Sequence, residues 1–473
     1  MKQISHIKAQ FNIPTLFTIF GATGDLAKKK LFISLFDLYD NEMLPDRFAI
    51  IGFAHSDYTD ETFQKYVGDI IRAHDGKCDQ AKVKSFIKSI YYEQGSFTDP
   101  EAFSTLSEKL ISLDDMIGQC TNKLFHLAVP PSYYDELLRN LAHSGMTIPC
   151  SDDQGWTRVL IEKPFGRDAQ TAQELDELLG KLFKEEQIFR IDHYLAKETI
   201  QNILMFRFSN RIFDPVWNHE HVEKVEIKLR EDIDVEDRGA FYDGIGALRD
   251  VGQNHLLQML SLIAMEHPGE FSAQEIHKSR ARALKDLRLS ETENFVRGQY
   301  EGYQDIKGVT ENSQTETYFR IGARVDNARW KDVPFILEAG KAMHKKSTKI
   351  IITFREPEPC FCDGENHMQN NKVIFDIQPE EKITVRFFAK EHGLLTNIAQ
   401  KDLAFSYHED RSVREIDAYE KVIYDAIIGD QVLFTNTDEV KHAWTFISSI
   451  MEKLQDVPLT IYKRGTAPQK DIQ

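Results

Sequence analysis

The stretch FRIDHYLAKE (189–198) sets Asp192, His193, Tyr194 and Lys197 where an apolar run gives way to a helical pattern. A histidine, a phenol and an ammonium near a helix start make a cradle for a phosphate. Asp192 reads instead as the partner of a base. The i, i+4 spacing of His193 and Lys197 predicts one shared helical face. A second stretch, ALRDVGQNHLLQMLSLIAME (247–266), puts His255 on the apolar side of a buried helix, beside Asp250, Gln253 and Asn254. That is more polarity than a plain core holds, and a histidine is the usual acceptor for a hydroxyl proton near neutral pH. Plainer readings exist for both: a capped helix with a salt-bridged first turn, and a satisfied core histidine.

Three other stretches bear on ligand binding. In GATGDLAKKK (21–30), Gly21 and Gly24 stand where a strand turns into a helix, so the backbone can approach a pyrophosphate. The full fingerprint has three glycines, and a tight strand–helix turn accounts for two equally well. In IEKPFG (161–166), Lys163 ends an apolar run, and Pro164 biases it toward an extended backbone. In FAIIGFAHSD (48–57), a strand ends on His55, Ser56 and Asp57, at the place where an acid bonds a ribose hydroxyl or an arginine accepts a phosphate.

The elements that must position these groups fall into two regions. TLFTIF (15–20), FAIIGFA, NKLFHLAVP (122–130), TRVLIEKP (157–164) and QIFRID (187–192) read as strands alternating with helices. That alternation predicts an α/β, Rossmann-like doubly wound parallel sheet over residues 1–192. Beyond it, HVEKVEIKLRE (221–231), TYFRIGARV (317–325), TKIIITFRE (348–356), KVIFDIQP (372–379) and EKITVRFFAKE (381–391) alternate apolar and polar residues. They predict a larger α+β domain, 193–473, with a mostly antiparallel sheet. Helices near 246–265, 273–288 and 417–428 are expected to cover that sheet.

Length and composition narrow the function classes. A chain of 473 residues suits two or three domains, and 41% hydrophobic residues support packed cores. A net charge of −17 lacks the basic footprint of a nucleic-acid binder. Five cysteines, few and odd in number, suit a reducing compartment better than a disulfide framework. Cys360, Cys362 and His367 lack a fourth ligand for a tetrahedral metal site, so no metal is expected. The N-terminal MKQISHIKAQ has no apolar core of a leader, and no apolar run reaches 18 residues. The expectation is a soluble cytoplasmic protein with no membrane partner.

GATGDLAKKK, IEKPFG, RIDHYLAKE and RDVGQNHLLQML, in this order, closely resemble the glucose-6-phosphate dehydrogenase family. The likeness continues through RWKDVPFILEAGKAM (329–343), IFDIQP (374–379), LAFSY (403–407), AYEKVIYDAIIGDQVLF (418–434) and DEVKHAW (438–444), nearly the whole chain. It implies oxidation of glucose 6-phosphate at C1 to the 6-phospho-lactone with reduction of NADP or NAD, the first oxidative step of the pentose phosphate pathway. It implies His255 as general base and Asp192 as the aspartate that orients it. Lys163, His193, Tyr194, Lys197, Glu231, Asp250, Lys341 and Gln378 would bind the sugar phosphate. Gly21, Thr23, Gly24, Asp25, Leu26, Lys30, His55 and Lys163 would hold the cofactor. It also implies a homodimer or homotetramer and no metal. Members that use NADP carry an arginine where this chain has His55. With Asp57, Asp60 and Glu61 following, dual use or an NAD preference is expected, NADP gaining as the pH falls and the imidazole takes a proton.

Overall fold

The structure, a computed structural model, describes residues 13–76, 78–150, 155–290, 295–356, 370–394, 397–407 and 414–468. The loop with Cys360, Cys362 and His367 lies outside the described residues. The chain forms two compact units. One comprises residues up to 166, 170–196 and 415–437; the other comprises 167–169, 197–414 and 438–473.

Among the described residues the first unit holds a six-stranded sheet: β1 (Thr15–Phe20), β2 (Phe48–Ala54), β3 (Ile90–Gln94), β4 (Asn122–Leu127), β5 (Thr157–Glu162) and β6 (Ile188–Ile191). Its order is β3-β2-β1-β4-β5-β6 and every pairing is parallel. This is the doubly wound arrangement, with the order reversing between β1 and β4. Every residue of β1 is buried, as expected of a strand covered on both faces. Phe20, Phe53, Phe103 and Phe125 pack ring against ring on one side of it. The sequence reading named five of these strands and not β3, whose run IYYEQ sits at the sheet edge and is only partly buried.

Two features of this unit differ from expectation. The helix Ala418–Ile428 belongs to the first unit, where it packs against the helix Phe32–Asp40 rather than on the antiparallel sheet. Cys120 and Cys150 form a disulfide, although the cysteine count suggested free thiols. They precede β4 and β5, whose starts lie side by side with Lys123 opposite Thr157, so residues 30 apart in sequence meet.

Among the described residues the second unit is built on a ten-stranded mixed sheet, mostly antiparallel. Its strands are β7 (Val222–Arg230), β8 (Leu287–Leu289), β9 (Val296–Tyr300), β10 (Tyr318–Val325), β11 (Phe335–Gly340), β12 (Ser347–Phe354), β13 (Lys372–Gln378), β14 (Lys382–Lys390), β15 (Ile398–Ser406) and β16 (Leu459–Tyr462). The order is β15-β14-β13-β12-β7-β11-β10-β9-β16, with β8 pairing on β10. The two parallel contacts, β7 with β11 and β9 with β16, interrupt an otherwise antiparallel ladder. A wide-wound helical segment, Leu248–Leu256, runs into the buried helix Leu257–Ala264. Among the described residues no helix is long and apolar enough to cross a membrane.

Candidate functional site

The candidate residues divide between the units. In the first, β1 ends at Phe20 and the chain turns at Gly21, whose φ of +83° only glycine adopts readily. A Cβ there would lie 2.4 Å from the Ala128 carbonyl oxygen, so a side chain would push the turn off the sheet. Gly24 N–H bonds back to Gly21 O at 2.9 Å, and the helix follows at once. Its next turn, Ala27–Leu31, is π-wound, a widening that often marks functional segments. This bare turn at a helix N-terminus fits a dinucleotide pyrophosphate. Thr23 receives a hydrogen bond from Ser56 Oγ at 3.3 Å, which joins the turn to the end of β2. Asp25 faces solvent and pairs with Lys29 at 2.9 Å, a contact that holds its carboxyl below the ordinary range.

Lys30 is fixed from far along the chain. Its Nζ lies 2.7 Å from Asp417 Oδ2, and the other Asp417 oxygen caps the helix Ala418–Ile428 by accepting from Tyr419 N–H at 2.9 Å. Asp417 and Tyr419 escaped the sequence reading. A capping box, Asp417 with Glu420, announces that helix, but nothing local names Lys30 as its partner. Tyr419 in turn donates to Glu162 Oε2 at 3.3 Å, and His126 Nε2 sits 3.0 Å from Glu162 Oε1. Glu162 ends β5 immediately before Lys163, so this buried network anchors the strand end that presents the lysine.

Asp192 is buried and accepts from Tyr194 N–H at 3.0 Å. Residues 193–196 form a turn, and the helix Glu198–Phe208 starts only after Lys197, which has extended φ/ψ. The shared helical face expected for His193 and Lys197 therefore does not exist. The turn wins because Asp192 draws the following backbone onto its own carboxylate and carbonyl. The His193 ring lies parallel to that of Tyr419, centroids 6.4 Å apart.

His55 is exposed at the end of β2, its ring edge-on to Phe97 at 4.8 Å. Asp57 is exposed beside it, but Asp60 is engaged: it lies 3.1 Å from Lys109 Nζ and accepts from Tyr92 N–H. One of the carboxylates expected to repel a phosphate is thus already compensated.

In the second unit, Glu231, Lys341 and Gln378 each stand at the carboxyl end of a strand, β7, β11 and β13, along one end of the sheet. The parallel pairing of β7 with β11 sets Arg230 opposite Gly340, so Glu231 and Lys341 are neighbours. Lys341 Nζ lies 2.7 Å from Glu231 Oε2 and 3.4 Å from Asp250 Oδ2. Burial opposes charge on Lys341, and the Asp250 and Glu231 carboxylates overcome it, so its ammonium is held above the ordinary range. Its charge also sits 5.3 Å from the Tyr242 ring centroid. Asp250 and His255 both ride on the wide-wound segment Leu248–Leu256. His255 is buried; its N–H donates to Asn254 Oδ1 at 2.7 Å, while Asn254 Nδ2 donates to Asp250 O at 3.0 Å. Gln378 donates to Thr348 Oγ1 on β12 at 2.9 Å. The second unit thus brings three charged residues of distant sequence into one cluster.

Comparison with known proteins points one way. Two family models match, "Glucose-6-phosphate dehydrogenase, NAD binding domain" over residues 18–202 and "Glucose-6-phosphate dehydrogenase, C-terminal domain" over 204–473. A glucose-6-phosphate 1-dehydrogenase of Chlamydia muridarum is 37% identical over 457 residues, 93% of this chain and 90% of that protein. One of Dictyostelium discoideum is 37% identical over 464 residues, 94% and 91% of the two chains. Among solved structures, a glucose-6-phosphate dehydrogenase in complex with its substrate glucose 6-phosphate superimposes with a TM-score of 0.90 at 35% identity. The alignment covers 98% of this chain and 96% of that one. A levoglucosan dehydrogenase in complex with NADH and L-sorbose, at 10% identity and a TM-score of 0.53, shares the fold alone.

Proposed function

We propose that this chain, which belongs to the glucose-6-phosphate dehydrogenase family, oxidises glucose 6-phosphate at C1 to the 6-phospho-lactone. The observation that carries the reading is the cluster Glu231–Lys341–Asp250 at the carboxyl ends of β7 and β11. An ammonium held charged between two carboxylates offers donors and several acceptor lone pairs, which suits the hydroxyl groups of a sugar. In this reading His255 takes the C1 hydroxyl proton onto its imidazole. The roles of Asp192 as partner of that base, and of His193, Tyr194 and Lys197 as phosphate ligands, carry over from the family motif. Lys163 and Gln378 line the sugar. A nicotinamide ring, when bound, supplies the hydride acceptor. Gly21, Thr23, Gly24, Asp25 and Leu26 would hold the dinucleotide at the helix start, with Lys30, His55 and Lys163 around it. The cofactor reading is dual use or NAD preference, because a single imidazole stands where an arginine would clamp a 2′-phosphate.

A homodimer or homotetramer is supported by the β14–β15 end of the large sheet. Among the described residues β15 pairs with β14 alone, and Leu403 and Phe405 on it are 65% and 52% exposed. Such a bare apolar edge is a liability that a second copy would cover. A cytoplasmic location accords with the need for a nicotinamide dinucleotide. The decisive assay measures turnover of glucose 6-phosphate against free glucose with NAD and with NADP. Efficient reduction with the phosphorylated sugar alone is expected; equal turnover of free glucose would overturn the assignment.

A further inference from the structure

The start of the wide-wound segment that carries Asp250 and His255 has no capping side chain of its own, since Ala247 occupies the N-cap. Its first N–H groups are taken instead by one residue at the foot of β10. Leu248 N–H donates to Glu316 Oε1 at 3.0 Å, and Ala247 N–H donates to Glu316 O at 2.9 Å. Tyr242, whose ring faces the Lys341 ammonium, donates its hydroxyl to the same carbonyl at 3.3 Å. The approach leaves no room for a side chain at Gly246, where a Cβ would lie 2.2 Å from Glu316 Oε1. The neighbours of Glu316 repeat the pattern on both sides. Thr315 Oγ1 accepts from Gly244 N–H at 2.8 Å, and Thr317 O accepts from Lys341 N–H at 2.9 Å. Three consecutive residues thus hold the helix start with one hand and the backbone of Lys341 with the other.

We infer that Glu316 is a positioning residue for the reaction, its side chain fixing the helix so that Asp250 meets Lys341. The inference rests on the reading of Glu231–Lys341–Asp250 as the sugar-binding cluster. In this reading Glu316 acts through Leu248 and hence through Asp250, two residues on, rather than by contact with substrate or cofactor. Burial pushes the Glu316 carboxyl above its ordinary range, and what it offers the helix start is an acceptor oxygen, Oε1, for the Leu248 N–H. A capping acceptor that can be replaced by an amide oxygen, and not by a methyl group, is the signature this geometry predicts.

The test compares Glu316→Ala, Glu316→Gln and Lys341→Ala in steady-state kinetics with glucose 6-phosphate and each nicotinamide cofactor. Glu316→Ala is expected to raise KM for glucose 6-phosphate about tenfold, with kcat reduced no more than about threefold and cofactor KM unchanged. Glu316→Gln should restore values within about twofold of the parent, a rescue that a role in bulk stability or charge would not produce. Should Glu316→Ala fail to accumulate folded, Glu316→Asp draws the oxygen back by one methylene and should show the same selective rise. An unchanged sugar-phosphate KM in Glu316→Ala or Glu316→Asp, or a Gln variant as impaired as Ala, overturns the inference. Lys341→Ala separates the two levels. If it raises that KM while the Glu316 variants do not, only the positioning role fails. If it leaves that KM unchanged, the cluster reading fails and the inference falls with it.

Discussion

The two units present functional groups in opposite ways. In the first, the cradle at Gly21–Gly24 is backbone: a glycine at φ +83°, a helix start, and a strand end with no side chain in the way. In the second, the cluster is side chains: Glu231, Asp250 and Lys341 converge from a strand, a helix and another strand. A backbone cradle needs residues close in sequence, because a turn and a helix start are local. A charge cluster needs only that a sheet end and a helix start be brought together, so its members can be far apart. In the proposed reading the proton acceptor, His255, belongs to the second unit, and the dinucleotide cradle is main chain of the first.

The assignment is most exposed at His255. His255→Asn keeps a polar group of similar size and removes the proton acceptor, so kcat should fall roughly 10³-fold with KM values changed by less than about threefold. Near-normal kcat would remove the base from the second unit altogether. Gly21→Ala attacks the other side. A methyl group 2.4 Å from Ala128 O, at a φ disfavoured for alanine, should move the turn and raise cofactor KM roughly 10- to 100-fold. The sugar-phosphate KM should stay within about twofold; equal damage to both would blur the division of labour.

The same contrast decides what could be read from sequence. The places of Gly21 and Lys163 were legible because the apolar runs TLFTIF and TRVLIE end just before them. β3 was not, since IYYEQ is short and partly exposed. Lys341 and Glu231 could be named only through the family motif, because their 2.7 Å contact depends on β7 pairing in parallel with β11, a choice that no local pattern encodes. FILEAG, the run forming β11, is buried throughout and so lacks the alternation that marks a one-sided strand. The return of Glu415–Thr437 to the first unit was equally invisible: AYEKVIYDAII is amphipathic enough to cover either sheet. The i, i+4 spacing of His193 and Lys197 presumes a helix, whereas the chain turns at 193–196 because Asp192 takes the Tyr194 N–H.

That returning segment carries a pH dependence of its own. Burial pushes Asp425 up to about 7, against its pairing with Lys421 Nζ at 2.5 Å. In the unfolded chain its carboxyl titrates near the ordinary ~3.9. Between these values the native protein holds the extra proton, so this contribution to stability is full below about pH 4 and is lost as pH rises through about 7. Asp425→Asn mimics the protonated form and should flatten the dependence. Urea unfolding at pH 5 and pH 8 should differ less in the variant than in the parent, by of order 2 kcal/mol. Identical pH dependence in the two proteins would show that Lys421 keeps Asp425 ionised.

Cofactor choice is where the backbone cradle alone falls short, because the extra phosphate of NADP must be recognised by a side chain. The end of β2 offers His55, exposed and leaning on Phe97, with Asp57 exposed beside it. Asp60, the next carboxylate, is compensated by Lys109 and contributes little repulsion. His55→Arg places a permanent charge and a bidentate donor at that end without altering Gly21, Thr23 or Gly24. The ratio of kcat/KM for NADP over NAD should rise about tenfold, mostly through a lower KM for NADP. The sugar-phosphate KM should not move. A ratio unchanged in the variant would mean that the 2′-phosphate is not read at position 55. A parent enzyme preferring NADP by about two orders of magnitude at alkaline pH would mean that donors such as Ser56 and backbone amides already suffice without a charged side chain at position 55.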